Sequence, residues 1–298
     1  MGRALTLFAF CAALVAALLT VDIPTSQAAG RSEVTYSYGS HSRQKLDAYW
    51  DTATAPRPGI VVLHGGYWYD DSGWATWSRG AADKGYAVFS VDYRLDFDAP
   101  WPAQRDDALA ALGWIKTNAA KFNLDPNRIA LLGSSAGGQI ATSVATYGSG
   151  GSRIKGVVGL SPVASPYRAW SDGNTSTDPK QRKVRDNAAI LARCYPDPAD
   201  TDTAMHASCW DTWKDMVVKN RASGANDAAM YLIHSENDFV PVAHSTDLEQ
   251  AEEADHDMPD NGVTVETIPG SAHGGALLDD LGLNKKVMAW IASRVGTP

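Results

Sequence analysis

The chain has 298 residues, 44% of them hydrophobic, and a formal net charge of −8. That much apolar material can fill the core of one large α/β domain. The acidic balance excludes nucleic acid and an anionic membrane surface as expected partners.

Arg3 is followed by an apolar run from Ala4 to Leu19, and the small residues Ser26-Gln27-Ala28 come next. This is the pattern of a secretory signal peptide cleaved after Ala28. The run is short for a membrane span of about 20 residues, so no stable membrane anchor is expected. The mature chain is therefore expected to be residues 29–298 of an exported protein. Removing the leader removes Cys11 and leaves Cys194 and Cys209. An oxidising compartment would join these two, closing a short loop at a gain of about 3 kcal/mol. No second Cys/His pair stands at ligand spacing, so no metal site is indicated.

Val34–Tyr38 and Leu46–Trp50 alternate loosely and predict an antiparallel pair at a sheet edge. Ile60–Leu63 and Gly85–Val91 are continuous apolar runs, as strands buried on both faces should be. An aromatic-rich loop and a helix lie between them, from Tyr67 to Lys84. Pro102 to Phe122 predicts a helix opened by a first-turn proline, with Leu109, Leu112, Ile115 and Ala119 on one stripe. Further strands follow at Arg128–Leu132, Ile154–Leu160, Met230–His234 and Val263–Ile268, with a helix from Gly138 to Tyr147 and a closing helix from Ala276 to Val295. Such alternation implies a mostly parallel sheet whose ligands bind beyond the strands' carboxyl ends. Between Pro162 and Ala225 no clear period is visible. Residues 162–225, with both cysteines and Trp170, Trp210 and Trp213, are expected to form a lid or cap insertion over the active site.

The chemistry centres on Gly133-Ser134-Ser135-Ala136-Gly137, set between a predicted strand and a predicted helix. Serine at the apex of a tight strand-to-helix turn, flanked by small residues, is a nucleophile elbow. A serine hydroxyl needs a base, and the base needs an orienting group. His273 lies in the loop Pro269–Gly275, between the last strand and the last helix. Asp238 follows the strand Met230–His234, and Glu236 competes with it for the orienting role. His64-Gly65-Gly66-Tyr67 begins where Ile60–Leu63 ends, so its backbone N–H groups can face an oxyanion, with the Ala136 N–H as a further donor. Of the aromatics that follow, Trp68, Tyr69 and Trp74 either line a substrate pocket or pack in the core. The sequence leaves both open.

His64-Gly65-Gly66, Val91-Asp92-Tyr93-Arg94-Leu95, Pro102-Ala103, Gly133–Gly138, Asp238-Phe239-Val240-Pro241 and His273-Gly274 together resemble the α/β-hydrolase superfamily, in its hormone-sensitive-lipase-like and carboxylesterase branch. The resemblance implies an α/β-hydrolase fold with an eight-stranded sheet and helices on both faces. It also implies a Ser135–Asp238–His273 triad, favours Asp238 over Glu236, and calls for no cofactor. Tyr67 stands where the branch often has a third glycine, and Ser134 stands where the lipase-like group commonly has aspartate. His-Gly-Gly-Tyr-Trp is also similar to kynurenine formamidases. The expected activity is hydrolysis of short-chain, aryl or acetyl esters, small or polysaccharide-linked. An amide-cleaving activity is the alternative, and a non-catalytic binding protein is the remote one.

Overall fold

The computed structural model describes residues 31–51, 56–196, 204–259 and 262–298. The expected leader, residues 1–28, lies outside the described residues. In chain order the strands are β1 (Arg31–Ser37), β2 (Lys45–Asp51), β3 (Arg57–Leu63), β4 (Ala87–Val91), β5 (Leu124–Ser134), β6 (Gly156–Leu160), β7 (Met230–Ser235) and β8 (Val263–Ile268). The α-helices are α1 (Ala75–Ala82), α2 (Ala103–Thr117), α3 (Ala136–Thr146), α4 (Gly150–Arg153), α5 (Pro166–Thr175), α6 (Pro179–Ala192), α7 (Ala204–Met216), α8 (Ala243–Gln250) and α9 (Leu281–Val295). One sheet holds all eight strands in the order β1-β2-β4-β3-β5-β6-β7-β8. β1 and β2 pair antiparallel at one edge, and the remaining strands run parallel from β4 to β8.

Alternation along the central strands builds two apolar layers. Val61, Leu63, Phe89, Leu131 and Leu232 face one core with α2, α3 and the helices of the insertion. Ile60, Val62, Val88, Leu132 and Ile233 face a second core with α1 and α9. Because both faces are covered, these strands read as unbroken apolar runs. The helix at 103–117 starts one residue after Pro102, which stands at the N-cap rather than inside the first turn, and the Trp101–Pro102 bond is cis.

The segment 162–225 is not aperiodic: it supplies α5, α6 and α7. Ser165 caps α5 through the Arg168 N–H at 3.1 Å, and Asp178 caps α6 through the Lys180 N–H at 2.8 Å. In each case proline occupies the first helical position, where its missing N–H costs nothing. Val184, Leu191, Trp213 and Met216 from these helices are buried in the main core. Cys194 and Cys209 form a disulfide with Cα atoms 6.0 Å apart, tying the end of α6 to α7.

Away from the cleft, a buried carboxyl pair joins the turn at residues 223–227 to the segment after α8. Glu252 accepts the Gly224 N–H at 3.0 Å, while Asp227 accepts the Ser223 N–H and hydroxyl, both at 2.7 Å. Burial, followed by the neighbouring Asp227 charge, raises the Glu252 carboxyl from 4.5 to about 8. The folded state therefore holds this proton more tightly than the unfolded chain. Its contribution to stability is complete below about pH 4.5 and is lost as the pH rises through about 8. Glu252→Gln should flatten the fall in melting temperature between pH 6 and pH 9. Identical melting profiles for the two proteins would show that the pair does not govern that fall.

Candidate active site

Four neighbouring strands and one loop converge at the carboxyl edge of the sheet. β5 ends in Ser134, and Ser135 follows at the apex with φ 52° and ψ −113°. A residue with a side chain is strained in this region, and the surroundings must hold it there. They do so by donating the Ser135 N–H to the Leu160 carbonyl at 2.8 Å and by using its own carbonyl for Gln139 and Val163. Gly137 allows the elbow to close: a Cβ there would lie 2.2 Å from the carbonyl oxygens of Leu63 and His64. α3 then begins at Ala136, so its positive end faces the serine.

His273 follows β8, and its Nδ1 meets Asp238 Oδ1 at 2.7 Å. Asp238 follows β7, and its side chain is fully buried. The Val240 N–H also donates to Oδ1, at 3.0 Å, and Ser161 Oγ donates to Oδ2 at 2.5 Å. Glu236 is exposed on the same loop, and among the described residues only its backbone N–H is tied down, to Ile268. The Phe239 ring packs 4.0 Å from the imidazole. Among the described residues His273 Nε2 has no hydrogen-bond partner, and both His273 and Ser135 line the same cleft.

Sequence reasoning missed two serines that hold the histidine loop. Ser161, just past β6, accepts the Gly274 N–H at 2.9 Å while donating to Asp238. Ser134 accepts the Gly275 N–H at 3.0 Å. Ser134 was marked only by its place at the end of the strand that enters the elbow, and nothing local in the chain marks Ser161.

The loop after β3 carries the donors. His64 is buried and stacked on Tyr93 at 4.2 Å, with its Nδ1 at 2.7 Å from the Gly65 carbonyl. Burial lowers its pKa to about 4, so the ring is neutral and braces the loop. Gly66 has φ 118°, and a Cβ there would lie 2.0 Å from the Asp70 carbonyl oxygen. The N–H groups of Tyr69 and Asp70 both return to the Gly66 carbonyl. Among the described residues no protein acceptor takes the N–H of Gly66, Tyr67 or Ala136. Gly65, Gly66 and Tyr67 all line the cleft beside Ser135.

That cleft has a volume of about 650 Å³ and runs between α1 and the segment leading into α9, with Trp74, Trp77, Leu278 and Met288 in its walls. Two of the three expected pocket aromatics are elsewhere. Trp68 is 0% exposed in the core, where its Nε1 donates to Gln139 at 3.2 Å. Tyr69 is 50% exposed and packs edge-on against Phe97. Tyr67 and Trp68 both adopt left-handed backbone, at φ 60° and 59°, so the chain doubles back and directs successive rings to different places. No described residue of 162–225 lines the cleft. The insertion meets the site from behind, where the Val163 N–H donates to the Ser135 carbonyl at 3.2 Å, and at its rim, where Lys183 Nζ lies 4.4 Å from the Tyr67 ring centre and Lys180 Nζ lies 5.4 Å from that of Phe239.

Comparison with known proteins agrees with this architecture. The family model BD-FAE matches residues 46–159. The chain is 38% identical over 126 residues to carboxylesterase NlhH of Mycobacterium tuberculosis, covering 38% of this chain and 37% of that protein. It is 44% identical over 171 residues to lipase 2 of Moraxella sp., covering 55% and 35% respectively. The matched part thus spans about a third of the length of these curated relatives. Among solved structures, esterase B from Lactobacillus rhamnosis superposes with a TM-score of 0.72 at 20% identity, covering 89% of this chain and 86% of that one. A truncated carbohydrate esterase from gut microbiota superposes with a TM-score of 0.68 at 21% identity, covering 90% and 98%. Both share the α/β-hydrolase fold seen here. Since the model of the carboxylesterase family matches residues 103–270, more than half of the sequence, the chain belongs to that family.

Proposed function

We propose that this protein is an exported serine hydrolase of carboxylic esters, with Ser135 as nucleophile, His273 as general base and Asp238 as the orienting acid. The observation that carries the reading is the His273–Asp238 bond at 2.7 Å on the same cleft as the strained Ser135. With Nδ1 engaged by Asp238, Nε2 is the nitrogen left to take the serine proton as Oγ attacks the ester carbonyl. The N–H groups of Gly66, Tyr67 and Ala136, with Gly65 shaping the turn, receive the oxyanion. Each such donor is worth about 10²- to 10³-fold in rate. The imidazolium returns its proton to the leaving alkoxide. Water then attacks the acyl-enzyme by the reverse route.

A cleft of about 650 Å³ walled by Trp74 and Trp77 suits an acyl or aryl group of moderate size. Acetyl and feruloyl esters of plant polysaccharide are substrates an exported enzyme would meet. Two structural neighbours, the gut carbohydrate esterase and an acetyl ester-xyloside bifunctional hydrolase from Caldicellulosiruptor lactoaceticus, support that direction. Tyr67 in the oxyanion loop favours a second reading, cleavage of an aryl formamide. The test is turnover of p-nitrophenyl acetate through decanoate, methyl ferulate, acetylated xylan and N-formylkynurenine. Ester turnover declining with acyl length is expected, whereas formamide turnover exceeding it would move the protein to the second reading.

A further inference from the structure

The rim of the cleft opposite α1 carries a charge that does not match the rest of the molecule. Between residues 178 and 186 stand four basic and two acidic side chains, in a chain whose net charge is −8. Asp186 pairs with Arg185 at 2.7 Å, whereas Asp178 turns back to the Lys180 N–H at 2.8 Å and keeps its charge. Arg182 donates to the Ser176 carbonyl, and Arg185 is held by Asp186 and the Gly173 carbonyl. The two lysines differ from Arg185, which has a carboxylate partner, and from Arg182, whose guanidinium is held by a backbone carbonyl. Among the described residues neither Lys180 nor Lys183 pairs with a carboxylate, and both are exposed. Their ammonium groups lie instead over aromatic faces, Lys183 over Tyr67 at 4.4 Å and Lys180 over Phe239 at 5.4 Å.

Those two rings belong to the site. Tyr67 carries one of the oxyanion-loop N–H groups and lines the cleft, and Phe239 packs on His273 at 4.0 Å. They stack on each other at 6.2 Å with planes 17° apart, forming a two-ring shelf at the mouth. The cation–π contacts restrict where the ammonium groups sit without neutralising them. An ester that fills the cleft on the α1 side and extends over this shelf therefore meets two lysine cations with no carboxylate partner, set against the single carboxylate of Asp178, which also acts on Tyr67.

The geometry points to an anion-accepting rim, in which Lys180 and Lys183 select esters carrying a carboxylate on the part of the substrate that leaves the cleft over Tyr67 and Phe239. This rests on the proposed ester hydrolysis at Ser135 and names the substrate class of that same site. A uronate-bearing glycoside or a dicarboxylic half-ester has the required chemistry. The interaction is exposed, so it is worth about fivefold in selectivity and weakens with salt over a Debye length of about 8 Å at physiological ionic strength.

The test uses two matched pairs: p-nitrophenyl butyrate against mono-p-nitrophenyl succinate, and phenyl acetate against 4-carboxyphenyl acetate. The first pair places the carboxylate on the acyl side and the second on the alcohol side. Within each pair the ratio of anionic to neutral kcat/KM is compared between wild type and Lys180→Gln/Lys183→Gln, which cancels the intrinsic reactivities of the esters. We expect the ratio to fall about fivefold for one pair, through KM, and to be restored by Lys180→Arg/Lys183→Arg. The pair that responds identifies the half of the ester lying over the shelf. An unchanged ratio in both pairs, with neutral esters turned over normally, overturns the rim and leaves the serine esterase reading intact. No turnover of any of the four esters by a folded wild type overturns both.

Discussion

Ser135→Ala should reduce ester turnover by about six orders of magnitude, to the level supported by binding and the oxyanion donors alone. The melting temperature should scarcely change, because Ser135 Oγ makes no hydrogen bond among the described residues and alanine suffers the same strain at φ 52°. Ser135→Gly separates strain from chemistry. Glycine tolerates that backbone region, so the inactive glycine variant should melt above both wild type and the alanine variant, by an amount reflecting about 1–3 kcal/mol of relieved strain. Calorimetry of the three proteins, alongside turnover of p-nitrophenyl acetate, checks both statements. Full activity in either variant would remove Ser135 from the mechanism, and a glycine variant no more stable than alanine would mean that the elbow is not under strain.

The elements that position this site were legible where one physical requirement dominates. Ile60–Leu63 and Gly156–Leu160 lie under helices on both faces, so only apolar residues fit and the strands appear as plain runs. The elbow was legible because Gly137 has carbonyl oxygens of the neighbouring strand within 2.2 Å of where a Cβ would be. The insertion was obscured by its charge. In α6 a stripe of Val184, Ala188 and Leu191 is buried, but the helix opens on Lys180, Arg182, Lys183 and Arg185, which mask its period. The stronger signals were Ser165-Pro166 and Asp178-Pro179, each a cap followed by a first-turn proline. Trp68 was beyond the reach of spacing. Its destination depends on two consecutive left-handed residues, a conformation that a tyrosine and a tryptophan do not announce. Ser161 was missed for a different reason: its role exists only because β6, β7 and β8 are neighbours, and adjacency in the sheet is not written locally in the chain.

That adjacency underlies the second large effect. Asp238→Asn should lower kcat by about 10³- to 10⁴-fold with little change in KM, while Glu236→Gln should alter neither by more than about twofold. The geometry indicates which property of the acid is lost. Oδ1 accepts from both His273 Nδ1 and the Val240 N–H, so an asparagine keeps those bonds only by placing its oxygen there. Its amide nitrogen then faces Ser161 Oγ, which already accepts the Gly274 N–H and would have to turn its own hydrogen away. The imidazole can thus keep its tautomer, and what disappears is the buried negative charge that stabilises the imidazolium as Ser135 attacks. Ser161→Ala tests the same chain of contacts from its other end. The carboxylate survives but loses its Oδ2 donor and the loop loses its anchor at Gly274, so kcat should fall about tenfold with KM nearly constant. The ranking Asp238→Asn, then Ser161→Ala, then Glu236→Gln follows from charge, support and exposure in that order. If Glu236→Gln proved the most damaging of the three, the acid would have to be reassigned to the exposed side of the loop, where solvent would screen the very charge the imidazolium needs.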